Sequence, residues 1–124
     1  MPGIEAVAND QLEAGPPTAG MVRQRAFEGA QMWMGDVSTE AGAVSGWHHH
    51  GDHETYGRVI AGSVHFEFGP DGSESVDLGP GDYFHVPAHA VHRESNPGAG
   101  SAVVTLVRLG PGPSVVNVDG PSSD

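Results

Sequence analysis

The sequence predicts an all-β domain whose strands close on themselves or pack as two sheets. Three observations carry this. The 124 residues include 19 glycines and 10 prolines, which punctuate many short apolar or alternating runs. The run VHFEF at 64–68 alternates cleanly, with Val64, Phe66 and Phe68 on one face and His65 and Glu67 on the other, as a half-buried strand does. No stretch gives a convincing helix. Closure or double-sheet packing is how such chains remove their strand edges, and inward and outward positions then alternate along every strand.

Taken in order, residues 1–20 form an arm, broken by GPPTAG at 15–20. The arm reads either as a partly mobile tail or as a strand added to a sheet edge, that of a second subunit included. Strands are predicted over 21–27 and 31–37, with Glu28–Gly29 as the turn. Trp33 reads as filler of a barrel interior or an interface. A strand over 44–50 ends at the turn Gly51–Asp52. Strands over 55–61 and 63–68 follow, then the dense turn GPDGS at 69–73. Further strands are predicted over 75–78, 83–86 (ended by Pro87), 91–95, 101–109 and 115–118. The run SAVVTLVRL at 101–109 is the most apolar and reads as central. One domain is expected, a barrel over 21–118 followed by a flexible tail over 119–124.

Composition narrows the function. Five basic and sixteen acidic residues give a net charge of −11, which repels nucleic-acid backbones and anionic membrane surfaces. There is no cysteine, so thiolate ligands and disulfides are excluded. No apolar run approaches the ~20 residues of a membrane span, and no signal-peptide pattern opens the chain. A cytoplasmic protein is the default expectation.

Chemistry concentrates at 42–62, GAVSGWHHHGDHETYGRVIAG, which holds His48, His49, His50 and His53. Histidine is the commonest ligand for transition metals. On a strand, residues two apart share a face, so His48 and His50 point one way and His49 the other. A second stretch at 81–96, GDYFHVPAHAVHRESN, adds His85, His89 and His92. Together they resemble the two motifs of the cupin superfamily. The first runs Gly42, five residues, His48-His49-His50, four residues, Thr55, six residues, Gly62. The second runs Gly81, five residues, Pro87-Ala88-His89, two residues, His92, three residues, Asn96. Thr55 stands where the family has glutamate, and His89 where it has glycine.

The resemblance implies a small jelly-roll barrel with His48, His50 and His92 as metal ligands inside it. A threonine hydroxyl is a poor ligand, so position 55 is left to water or substrate. A gap shorter by one residue would instead select Glu54 as a fourth ligand, although strand alternation aims it to the opposite face. The cofactor expected is a divalent transition metal, Fe(II) first, with Zn, Ni, Mn or Cu as alternatives. Three neutral ligands leave the ion at full formal charge and favour chelating anionic oxygens.

Candidate catalytic groups are His53, Glu54 and Arg58. His53 either approaches the metal as an acid–base group or stays in its loop. Arg58 grips a substrate carboxylate or pairs with a surface acid. His85 is an inward pocket residue or a solvated one. His49, His65 and His89 read as surface groups, and Asn96 as the holder of a turn. The expected function is a metal-dependent dioxygenase-like enzyme acting on a small oxygenated organic molecule. The alternatives are a non-redox Zn or Ni isomerase, cyclase or lyase, and a non-catalytic binding module. A homodimer is expected, because small jelly rolls expose sheet edges.

Overall fold

A computed structural model describes residues 2–112, 115–121 and 123. Met1 of the expected arm, Pro113 and Ser114 before the last strand, and Ser122 and Asp124 of the expected tail lie outside the described residues. Eleven strands are present among the described residues: β1 (Glu13–Ala14), β2 (Met21–Gly29), β3 (Met32–Thr39), β4 (His48–His49), β5 (Glu54–Ala61), β6 (Val64–Phe68), β7 (Glu74–Leu78), β8 (Tyr83–Val86), β9 (His92–Ser95), β10 (Ala102–Leu109) and β11 (Val116–Asn117). Among the described residues, helical structure is confined to two single turns, Asn9–Gln11 and Pro70–Gly72. No helix among the described residues is long and apolar enough to cross a membrane.

The strands form two antiparallel sheets facing each other as a jelly roll. One has the order β1-β2-β3-β10-β5-β8 and the other β11-β4-β9-β6-β7. β10 lies between β3 and β5, the central place its apolar run predicts. Its burial alternates strictly. Ala102, Val104 and Leu106 face inward and join Met21, Val37, Val59, Val64, Phe66 and Val86 in the core between the sheets. Val64 and Phe66 confirm the parity read from VHFEF. Burying each of the valine, leucine, phenylalanine and methionine side chains contributes roughly 1.5–3 kcal/mol, offset by the entropy of ordering the chain.

One open alternative is decided and two expectations need correction. The arm does pair with an edge, but with this chain's own β2, matching Glu13 to Arg25 and Ala14 to Gln24. The strand expected over 44–50 shrinks to His48–His49, with an isolated bridge from Val44 to Ser95. Gly46 and the loop around it interrupt what alternation alone would continue. The first hairpin turns at Ala30–Gln31 rather than Glu28–Gly29, because β2 runs two residues longer.

The first hairpin is irregular. Pairing of β2 with β3 shifts register between Arg25 and Phe27, so Ala26 is the extra residue of a bulge facing the Met34–Gly35 step. A Cβ on Gly35 would stand 2.1 Å from the carbonyl oxygen of Gln24. That neighbour is backbone and cannot turn aside. Gly35→Ala is therefore expected to destabilise the protein by about 1–3 kcal/mol. The drop in urea midpoint measures it, and an unchanged midpoint contradicts the close approach.

Candidate metal centre

His48 and His92 are direct cross-strand partners on β4 and β9. His50 follows one residue after β4, just before the left-handed turn at Gly51 (φ 57°). The three rings converge, with centroids 5.0 Å apart for His48–His50, 4.4 Å for His48–His92 and 5.0 Å for His50–His92. One ring nitrogen from each lies within 4.8 Å of the others, and all three side chains are buried.

The hydrogen bonds behind the rings fix their chemistry. Nδ1–H of His48 donates to the Gly46 carbonyl oxygen at 2.8 Å, and Nδ1–H of His92 to that of Ala90 at 2.8 Å. A carbonyl only accepts, so each Nδ1 carries the hydrogen, and in the neutral ring Nε2 presents a lone pair. This is how metal-binding histidines are oriented. Burial lowers the His92 imidazolium to about 4, with the Ala90 carbonyl opposing and the charges of His48 and Arg108 adding to the effect. The ring is neutral at pH 7, as a ligand must be. Neutral donors at this spacing fit a divalent transition ion.

Glu54 does not join them. It sits on the outer face of the six-stranded sheet, where Oε1 accepts from Nε2 of His85 at 2.8 Å and Oε2 accepts from the Ala88 amide. Those bonds hold its carboxyl below the usual range, the Ala88 amide more than His85. Alternation along β5 is the reason: Thr55 is buried and Tyr56 exposed. Thr55 faces inward, its Oγ1 without a hydrogen-bond partner. Arg58 is also outside, its guanidinium 5.2 Å from the Tyr83 ring centroid and its Nε–H reaching the Gly81 carbonyl oxygen at 3.4 Å.

His53 is buried in the wall of the interior but outside the three-ring cluster. Its Nε2–H donates to the Gly112 carbonyl oxygen at 2.9 Å, and its Nδ1 has no partner. His85 is an outer-face residue stacked on Tyr56 (4.5 Å). His49, His65 and His89 are peripheral: Nδ1 of His49 accepts from the Gly51 amide, and His65 and His89 pair with Asp77 and Asp52. The left-handed backbone of His89 (φ 61°) shows why the family pattern places glycine there. Asn96 holds its turn as read, donating to the Thr39 and Gly100 carbonyls and accepting from the Gly98 amide.

The interior beside the centre adds residues the motifs do not reveal. A cavity of about 850 Å³ is lined by Arg23, Trp33, His48, His53, Glu94 and Arg108 together with arm residues 13–16. A smaller space of about 20 Å³, room for one water-sized group, lies against His50, Thr55, His92 and Arg108. Glu94, two residues after His92, is enclosed by protein apart from surface left along the cavity. Burial raises its carboxyl, with His48, Arg108 and Arg23 pulling the other way. Burial lowers the Arg108 guanidinium to about 10, aided by Arg23 and opposed by Glu94. Arg108 occupies the inward parity of Ala102, Val104 and Leu106, and an arginine at that parity on the most apolar strand was a readable signal.

His92 gives the metal-free protein a pH signature. The unfolded ring titrates near its ordinary 6.5 and the folded one near 4. Between those values the unfolded chain binds a proton that the folded chain refuses, so stability falls as pH falls through this window. The full effect is about 3 kcal/mol. Glu94 acts in the opposite sense, so the wild type is best compared with His92→Gln. The stability difference between them should shrink from pH 7 to pH 4 in urea titrations. A pH-independent difference contradicts a buried neutral ring.

Comparison with known proteins agrees with this geometry. The cupin domain family profile matches residues 35–108. No curated protein sequence matches the chain. Among solved structures, the polyketide cyclase RemF from Streptomyces resistomycificus superposes with a TM-score of 0.78 at 17% identity, covering 94% of this chain and 87% of that one. A RmlC-like cupin from Shewanella frigidimarina gives 0.73 at 22% identity, covering 87% and 92%. KdgF from Halomonas sp. gives 0.68 at 26% identity, covering 82% and 92%. With the matched profile spanning more than half its length and both sheets closing around three converging histidines, the chain belongs to the cupin family.

Proposed function

We propose that this chain is a metal-dependent enzyme. In this reading His48, His50 and His92 hold one divalent transition ion, a small oxygenated organic molecule fills the adjoining cavity, and with iron(II) the centre works as a dioxygenase. The supporting observation is the donor set: three buried imidazoles with nitrogens within 4.8 Å and no carboxylate among them. When bound, such an ion keeps its full formal charge and supplies Lewis acidity or, as iron, one-electron chemistry. The chain's residues do the rest. The Gly46 and Ala90 carbonyls orient two ligand rings, Thr55 leaves the fourth ligand position without a carboxylate, and the apolar core excludes water from below.

A second reading has its own support. His53 and Glu94 line the cavity with His48, and each can hold or deliver a proton, at Nδ1 and at the carboxyl. Zinc or nickel acting as a Lewis acid for isomerisation, cyclisation or elimination would use them, and the fold neighbour RemF is described as a polyketide cyclase. Function as a homodimer in the cytoplasm belongs to either reading, with sedimentation velocity and fractionation as its checks.

The deciding experiment is elemental analysis of tag-free protein, followed by oxygen-uptake assays on β-diketones and enediols. Near-stoichiometric iron with substrate-dependent oxygen uptake supports the dioxygenase. Zinc or nickel with turnover and no uptake supports the second reading, and absence of metal after reconstitution overturns both. His92→Ala is expected to weaken metal binding by at least about 100-fold. Glu54→Ala, on the outer face, is expected to keep the wild-type stoichiometry, and loss of metal there would reinstate Glu54 as a ligand.

A further inference from the structure

Arginine is scarce in this acidic chain, which carries five basic residues against a net charge of −11. Three of the five are accounted for at or near the surface. Arg25 pairs with Glu13 and Glu28, Arg93 with Glu67, and Arg58 lies over Tyr83. The other two, Arg23 and Arg108, line the cavity beside the histidine cluster. Arg23 donates to Oγ1 of Thr18 at 2.8 Å. Arg108 is 6% exposed, its guanidinium 5.9 Å from the Trp33 ring centroid, and its Nε has no hydrogen-bond partner. Among the described residues no carboxylate stands within ion-pair distance of either.

An unpaired buried cation is costly. Its natural complement is an anion that accepts from the planar guanidinium fork. Glu94 lines the same cavity, where the charged lining residues are three arginines (Arg23, Arg25, Arg108) and three glutamates (Glu13, Glu28, Glu94). Glu13 and Glu28, nearer the arm, are engaged with Arg25. A second unsatisfied atom belongs to the same wall. His53 is 8% exposed, its Nε2–H is committed to the Gly112 carbonyl, and in the neutral ring its Nδ1 offers a lone pair that nothing meets. The cavity is thus lined by Arg108 and His53, each with one buried nitrogen that has no partner (Nε and Nδ1), by the ring of Trp33, and by His48 of the metal cluster.

We propose that this cavity binds a small organic anion bearing both a carboxylate and a hydroxyl. Arg108, supported by Arg23, holds the carboxylate, and the hydroxyl donates to Nδ1 of His53. This rests on the proposed metal-dependent function, whose substrate class it names. Arg108 and His53 become specificity determinants that act by binding, apart from the metal ligands.

Calorimetric titration tests it, using tag-free protein in metal-free and in redox-inert zinc-loaded form. The probes are lactate, malate and salicylate, each beside its methyl ester and the acid lacking the hydroxyl. At least one hydroxy acid should bind the zinc-loaded protein about 10-fold or more tighter than its ester, the scale of a charged hydrogen bond. Arg108→Met should abolish that preference while keeping the zinc stoichiometry and cooperative thermal unfolding of the wild type. His53→Phe should remove discrimination against the deoxy acid but keep acid over ester. Arg58→Met, on the outer face, should change neither. Hydroxy-acid binding to metal-free protein that fails to take up zinc would sustain the anion site while sinking the metal reading. Zinc-loaded protein that binds acids and esters alike, or binds none of the acids, overturns the anion site and leaves the metal reading standing. If Arg108→Met does not unfold cooperatively, Arg108→Lys replaces it, and undiminished acid preference in that variant counts against the guanidinium.

Discussion

The pairing of His48 with His92 across β4 and β9 is the constraint on which the site depends. The two residues lie far apart in sequence, and a sheet register brings their rings to 4.4 Å. Register errors in a sheet come in units of one residue, and each turns a side chain to the opposite face. The flanking sequence prevents such a slip: Val64 and Phe66 must stay inside on β6, which pairs with β9. The hydrophobic core therefore does more than stabilise the barrel. It fixes the phase at which β9 presents His92.

Burial and hydrogen bonding then divide the work. Burial makes the His92 imidazole a poor base and so keeps it neutral. The backbone carbonyls of Gly46 and Ala90 choose which nitrogen keeps its hydrogen. Both acceptors lie two residues before their histidine, a local arrangement that a short strand entered from a loop allows. The brevity of β4 thus bears on ligand orientation as well as on pairing.

Much of this was legible from residue spacing. Parity predicted that His48 and His50 share a face, and the cupin-like spacing brought in His92. Parity also told against Glu54, and the outer face of β5 is where it lies. The central position of β10 followed from its apolar run. What could not be read was anything set by loops or by bulges: the shortening of β4, the shifted first hairpin, and the return of the arm onto its own β2. Arg108 and Glu94 were missed for a different reason. They belong to the cavity through contacts between distant strands, and a motif built on local spacing does not see them.

The arm has a consequence for how such a protein can diverge. Residues 13–16 form one side of the cavity, yet the arm is fastened by a two-residue strand, a hydrogen bond from the Gly15 amide to the Arg23 carbonyl oxygen, a bridge at Thr18–Met21, and side-chain contacts of Arg25 with Glu13 and Arg23 with Thr18. The ligand-bearing strands lie in the other sheet. Substitution or length change in the arm can reshape the chamber without disturbing the histidines. Under the proposed function, the arm is thereby the part that can alter the chamber's shape while the histidine cluster and Arg108 stay where they are.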